Sequence, residues 1–251
     1  MKVKNNWSVI VGIVSILLLA GLMVPVVGHL KKNNIAKVNA LKKQGAREYK
    51  ATDYVSAFNT YRRLSDSLDI QDEAVGINYA NSAYLSSELL QRATQEQEAM
   101  GRGSSPDSTV LIIGMQSREK YSLLTAANDP KIASIASNQL GYASLKGSDV
   151  FAAPNADSLL FIALDHFKNA LGKDPANDSA RHNYELIKMI IAFPETILAE
   201  AKALIAEKRY KEAASVLERG MRRDPRLRQQ KEFMERLRTV IEIDSLEGKG
   251  I

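Results

Sequence analysis

Three histidines, His29, His166 and His182, are the first places to look for chemistry, since imidazole binds metals and carries protons near neutral pH. His29 borders an apolar run. His166 and His182 stand 16 residues apart, with neither histidine nor glutamate at the i+4 spacing of helical zinc motifs. They read as surface or groove residues, and no metal site is expected. The chain has no cysteine, which excludes disulfides, thiolate ligation and thiol catalysis. Asp66 and Asp69 form a close carboxylate pair, but at a polar helix end solvation or capping is the simpler role. Gly101-Arg102-Gly103 lacks the lysine and the preceding strand of a phosphate-binding loop. What remains is amide chemistry. Asn78 and Asn183 each precede a tyrosine in two echoing segments, GINYANSAYL and RHNYELIKMI. An asparagine side chain offers donor and acceptor together, so it can grip the backbone of an extended ligand. Asn138 and Arg181 are the expected neighbours. The competing role for each of the four is packing or hydrogen bonding between helices. No cofactor is implied and the chain reads as non-enzymatic.

Such residues must be positioned by helices, because strand signals are nearly absent after residue 33. The one β-branched run, Val110-Leu111-Ile112-Ile113, has no partner with period-two alternation. Alanine, leucine, lysine, glutamate and arginine fill stretches that stop at Asp129-Pro130, Asp174-Pro175 and Asp224-Pro225. Proline cannot continue a helix and biases the residue before it away from one, so each dipeptide marks a boundary. Helix pairs separated in this way match the period of about 34 residues of tetratricopeptide repeats. The best copy runs from Pro194 to Pro225, with Ala201 in the first helix and Tyr210, Ala213 and Leu217 on the packing face of the second. Another pairs ASNQLGYASL with LLFIALDHFKNALGKDP, placing Gly141, Ala163, Phe167 and Ala170 in the same register across an insertion, Gly147 to Ala156. An earlier copy begins near Ile35, with Gly45 in its first helix and Tyr54, Ala57 and Tyr61 in its second. A long insertion at 84–120 has a polar tip, GRGSSPDS, expected to be an exposed loop between two extended helices, and a final helix is expected near 226–243.

Ahead of these repeats lies an uncharged run from Trp7 to Gly28, 22 residues long. As a helix it would span roughly 33 Å, matching a bilayer core of about 30 Å. It is long for a signal peptide, whose apolar core is typically about 7–15 residues, so an uncleaved anchor is expected. The organisation read from sequence is therefore all-α. A membrane anchor at 1–32 precedes a tetratricopeptide-like solenoid at 33–244 with insertions, and 245–251 form a flexible tail. Charge supports no nucleic-acid role. Of the net +5, four units come from Lys2, Lys4, Lys31 and Lys32, leaving 30 basic against 29 acidic residues beyond. Within 218–238, eight basic and four acidic residues form a solvated helix face or a dock for an acidic partner or headgroups.

Two stretches carry a closer likeness. DYVSAFNTYRRLSDSLDIQDEAVGINYANSAYL, and SNQLGYASLKG followed by ALDHFKNALGKDPANDSARHNYELIK, resemble the tetratricopeptide (BatC-type) component of the Bat aerotolerance operon, over about 75 of the 251 residues. Tyr61-Arg62-Arg63 followed by Ala74-Val75-Gly76 is the less generic part. The resemblance implies a non-enzymatic envelope scaffold that works with membrane-bound von Willebrand A-domain proteins and a MoxR-type ATPase. It also implies a periplasmic repeat domain on an inner-membrane anchor. The lysines flanking the apolar run lean the other way, towards a cytoplasmic domain. A chaperone-like repeat protein attending secreted or membrane-protein clients is the nearest alternative. An enzyme subunit with its site in the inserted helices is a more distant one.

Overall fold

The computed structural model describes residues 34–101, 108–145 and 156–247. They form an all-α fold: α1 (34–50), α2 (Tyr54–Arg62), α3 (Glu73–Ala99), α4 (Ser108–Leu124), α5 (Pro130–Leu145), α6 (Ala156–Lys173), α7 (Asp178–Ala206), α8 (Tyr210–Arg223) and α9 (Lys231–Glu247). A π-turn, Arg63–Ser67, extends α2, and a 3-10 turn, Pro225–Gln230, leads into α9. Among the described residues there is no strand, and the β-branched run at 110–113 lies inside α4. The expected anchor at 7–28, the tip of the loop at 102–107 and the insertion at 146–155 lie outside the described residues. Within them no helix is long and apolar enough to cross a membrane.

The chain divides into two compact units, Met1–Ser117 and Arg118–Ile251, with the division falling inside α4. In the first, α1 and α2 are antiparallel. Tyr49 meets Tyr54 edge-on at 5.4 Å, Thr60 donates to Glu48 at 2.7 Å, and Gly45 lies under the Tyr61 ring. A Cβ on Gly45 would come within 2.9 Å of that ring, so glycine is what admits the tyrosine. Ala57, Phe58, Tyr61, Leu64, Val75 and Tyr79 close the core of this unit, and Ile113 of α4 completes it. Each large apolar side chain buried there contributes roughly 1.5–3 kcal/mol.

In the second unit α5 and α6 repeat the arrangement, with Gly141 pressed under Phe167, where a Cβ would fall within 2.6 Å of the ring. Leu160, Ala163, Phe167 and Ile187 form one core, and Ala201, Ala213, Leu217, Met234 and Leu237 form another under α9. The alanines expected on packing faces, Ala163, Ala170, Ala201 and Ala213, are fully buried. Ala57 in the first unit is likewise buried.

Two features depart from the sequence reading. A repeat boundary was expected at Pro194, yet α7 runs unbroken through it for 29 residues. Helix α9 also reaches Glu247, three residues into the stretch expected to be a tail. The turns leaving α1 and α7 are built alike without glycine. Thr52 and Lys208 take positive φ (62° and 59°), and the next residues, Asp53 and Arg209, donate back to Glu48 and Leu204. A left-handed non-glycine residue costs on the order of 1 kcal/mol, offset here by those carbonyl bonds.

Candidate functional site

The polar centre of the second unit grows from the junction between α6 and α7. Helix α6 stops before Asp174-Pro175, and Asn177 caps α7, accepting from the Ala180 amide at 3.0 Å. The same side chain donates to Ser134 Oγ at 2.9 Å, and Ser134 donates to the Ala170 carbonyl at 2.8 Å. This short relay ties the start of α7 to α5 and to the end of α6. Six residues on, Asn183 Nδ2 donates to Asn138 Oδ1 at 3.0 Å. The two cross-links advance together, from 134 to 138 on α5 and from 177 to 183 on α7, so these helices run parallel.

Asn138 is 9% exposed and Asn183 half-buried. Their mutual bond uses one donor and one acceptor, which leaves Asn138 Nδ2 and Asn183 Oδ1 with no protein partner among the described residues. The pair thus keeps one unused N–H and one unused oxygen, the two kinds of group that a peptide unit can pair with. Ile135 and Tyr142 on α5 and Leu186 on α7 are exposed within about 60° of the amides around their helices. Apolar side chains therefore flank the polar pair.

Of the four residues expected to act together, two are joined. Asn183 does make the inter-helix bond that was the competing expectation for it. Arg181 is turned away: it donates to Asp178 at 3.0 Å and to the Pro175 carbonyl, bracing the first turn of α7. Two helical residues are about 200° apart, so Arg181 and Asn183 point to opposite sides. Asn78 lies in the first unit, on α3, half-buried and with no side-chain hydrogen bond among the described residues. His166 and His182 sit on α6 and α7, and His29 lies outside the described residues. No convergent group of three histidine, aspartate or glutamate side chains occurs among the described residues. Asp66 is exposed in the π-turn, and Asp69, at φ 50°, accepts from Gln71.

One polar constellation escaped the sequence reading. Pro194 has no N–H, so the carbonyl four residues back, on Ile190, loses its helical donor. Arg226 Nη2 supplies one at 2.6 Å. The same guanidinium grips Asp224 through Nε (3.0 Å) and Nη2 (2.6 Å), and reaches Asp157 through Nη1 at 2.8 Å. Asp224 is 2% exposed, and its carboxylate raises the Arg226 pKa further above its ordinary value. The last of the three stop dipeptides, Asp224-Pro225, is thus also the anchor of a clamp that lets α7 carry a proline. The only sequence signal was Asp-Pro-Arg after a helix; the partner carbonyl is 36 residues upstream.

No family model, no curated protein and no solved structure matches this chain.

Proposed function

We propose that this protein is a non-enzymatic tetratricopeptide-type scaffold that binds an extended segment of a partner protein across α5 and α7. The observation carrying this reading is the Asn138–Asn183 pair, with its unused donor and acceptor beside exposed Ile135, Tyr142 and Leu186. Main-chain recognition by fixed amides, with apolar side chains read alongside, suits extended peptides on helical repeats. The repeat assignment is supported by glycines under Tyr61 and Phe167 and by the buried alanines of the α1–α2, α5–α6 and α7–α8 pairs. Anchoring by a helix at 7–28 and a periplasmic Bat-type setting, with von Willebrand A-domain partners, are proposals resting on the apolar run and the resemblance described above.

The test uses the full-length chain in nanodiscs. A photo-crosslinking residue placed at Gln139, beside Asn138, should trap one dominant partner, and the same probe at exposed Lys168 on α6 should not. Titration of that partner against Asn138→Ala/Asn183→Ala should show affinity weakened roughly 5- to 150-fold, since each hydrogen bond contributes about 0.5–1.5 kcal/mol. Unchanged affinity in a normally folded double variant defeats the site. Many unrelated clients trapped at Gln139 would favour the chaperone reading instead.

A further inference from the structure

The corner between α8 and α9 carries charge that the proposed site does not use. Eight cations and four carboxylates lie between 218 and 238. Three carboxylates are committed: Glu218 pairs with Arg238 at 2.9 Å, Asp224 with Arg226, and Glu232 with Arg236. That leaves Arg219, Arg222, Arg223, Arg228 and Lys231 facing Glu235 alone among the described residues of this stretch. All five cations are exposed.

The corner is also stiff. Arg223 lies over the Phe193 ring with its guanidinium carbon 5.1 Å from the centroid, and Arg219 Nη1 donates to Ser215 at 2.8 Å. The 3-10 turn between the helices is pinned by the Asp224–Arg226 clamp and by buried Leu227. Met189, one turn before Phe193 on α7, is 69% exposed, so an apolar ledge adjoins the cations. We propose that this corner binds an acidic, amphipathic segment of a partner protein, its carboxylates on the arginines and an apolar side chain against Met189 and Phe193.

Three considerations select that occupant. The cations are chiefly arginines, whose planar fork takes carboxylates two bonds at a time. Headgroup attraction sums over charges whatever their arrangement, so it needs no guanidinium fixed on an aromatic ring. The stretches of this chain outside the described residues do not fit by charge. Residues 1–33 and 248–251 contain no acid, and 102–107 and 146–155 hold one aspartate each.

The experiment titrates the full-length chain in phosphatidylcholine nanodiscs with a labelled twelve-residue peptide alternating glutamate with leucine and phenylalanine. Expected are binding that weakens as salt rises and loss of binding for the peptide with glutamine at every glutamate. Arg222→Glu/Arg223→Glu/Arg228→Glu should weaken it on the order of tenfold or more. Asn138→Ala/Asn183→Ala should leave it unchanged, which keeps failure here distinct from failure of the α5–α7 site. Equal binding of the glutamate and glutamine peptides overturns the proposal. So does an unaffected triple variant with a wild-type melting curve. Recruitment of phosphatidylglycerol vesicles without peptide binding would assign the corner to lipid, and binding to a second copy of the chain would make it a self-association surface.

Discussion

The α1–α2–α3 and α5–α6–α7 regions share a register and differ in the chemistry that locks it. In each, a glycine of the first helix lies under an aromatic ring of the second: Gly45 beneath Tyr61, Gly141 beneath Phe167. In each, the third helix is capped six residues before an asparagine, by Asp72 ahead of Asn78 and by Asn177 ahead of Asn183. Three residues before the glycine, however, one region has Lys42 and the other Asn138. Lys42 pairs with the cap itself, Asp72, which also accepts from the Ala74 and Val75 amides. Asn138 is too short for that and meets Asn183 instead. A long cation thus ties the first junction at the cap and leaves Asn78 unbonded among the described residues, whereas a short amide ties the second at Asn183. Equivalent positions carry a charge pair to the cap in one region and an amide-to-amide bond in the other.

The largest expected difference comes from the clamp that serves only the second region. Asp224→Ala would leave a guanidinium that is 11% exposed with only Asp157 and the Ile190 carbonyl, so the loss should approach but not exceed the roughly 3–5 kcal/mol typical of breaking a buried pair. Hydrogen exchange should report faster opening of α7 and α8 while the α1–α3 amides keep their protection. If α1–α3 open equally, the units are not separately cooperative. Arg226→Met should be milder in a Pro194→Ala background, because the restored N–H at 194 satisfies the Ile190 carbonyl.

A smaller effect separates the two glycines. Gly141→Ala forces the buried Phe167 ring aside, and overpacking of about 1–3 kcal/mol should outweigh the roughly 1 kcal/mol gained in helix propensity. Gly45→Ala meets Tyr61 at 2.9 Å, a looser approach than the 2.6 Å at Gly141, so its net loss in urea unfolding should be the smaller of the two. Equal losses at both sites would mean the two rings are equally confined.

Next comes the amide pair. Asn183→Ala should cost about 0.5–1.5 kcal/mol at most, and Asn78→Ala, with no bond to lose among the described residues, still less. A thermal melt in which Asn78→Ala is the more damaging would reverse the comparison.

Smallest is a pH effect confined to the first junction. The bond from Lys42, opposed by burial and aided by the two cap amides, holds the Asp72 carboxyl below its usual value. A lowered folded pKa contributes stability above the unfolded value and loses it as pH falls through the folded one. Below about pH 4, exchange at Ala74 and Val75 should therefore accelerate relative to Ala180, whose cap is a neutral amide. The pair is over a third exposed, so the change should stay under about 1 kcal/mol.

By itself the sequence determined the helical class, the stops at the three Asp-Pro dipeptides, and the small residues that would be buried. Each of these is local. Proline removes a donor wherever it stands, and alanine or glycine at a helix contact is legible from spacing alone. Sequence echo also marked Asn78 and Asn183 as equivalent, and in register they are. Only the tertiary structure decided that Asn183 pairs with Asn138, that Arg181 turns back to its own helix start, and that α7 survives Pro194. The first and last of those outcomes depend on groups 45 and 36 residues apart meeting within 3.0 Å. A repeat pattern fixes which positions face a neighbouring helix. The reach and charge of the side chain found there then decide which group across the junction it meets, the cap at Asp72 or the amide of Asn183.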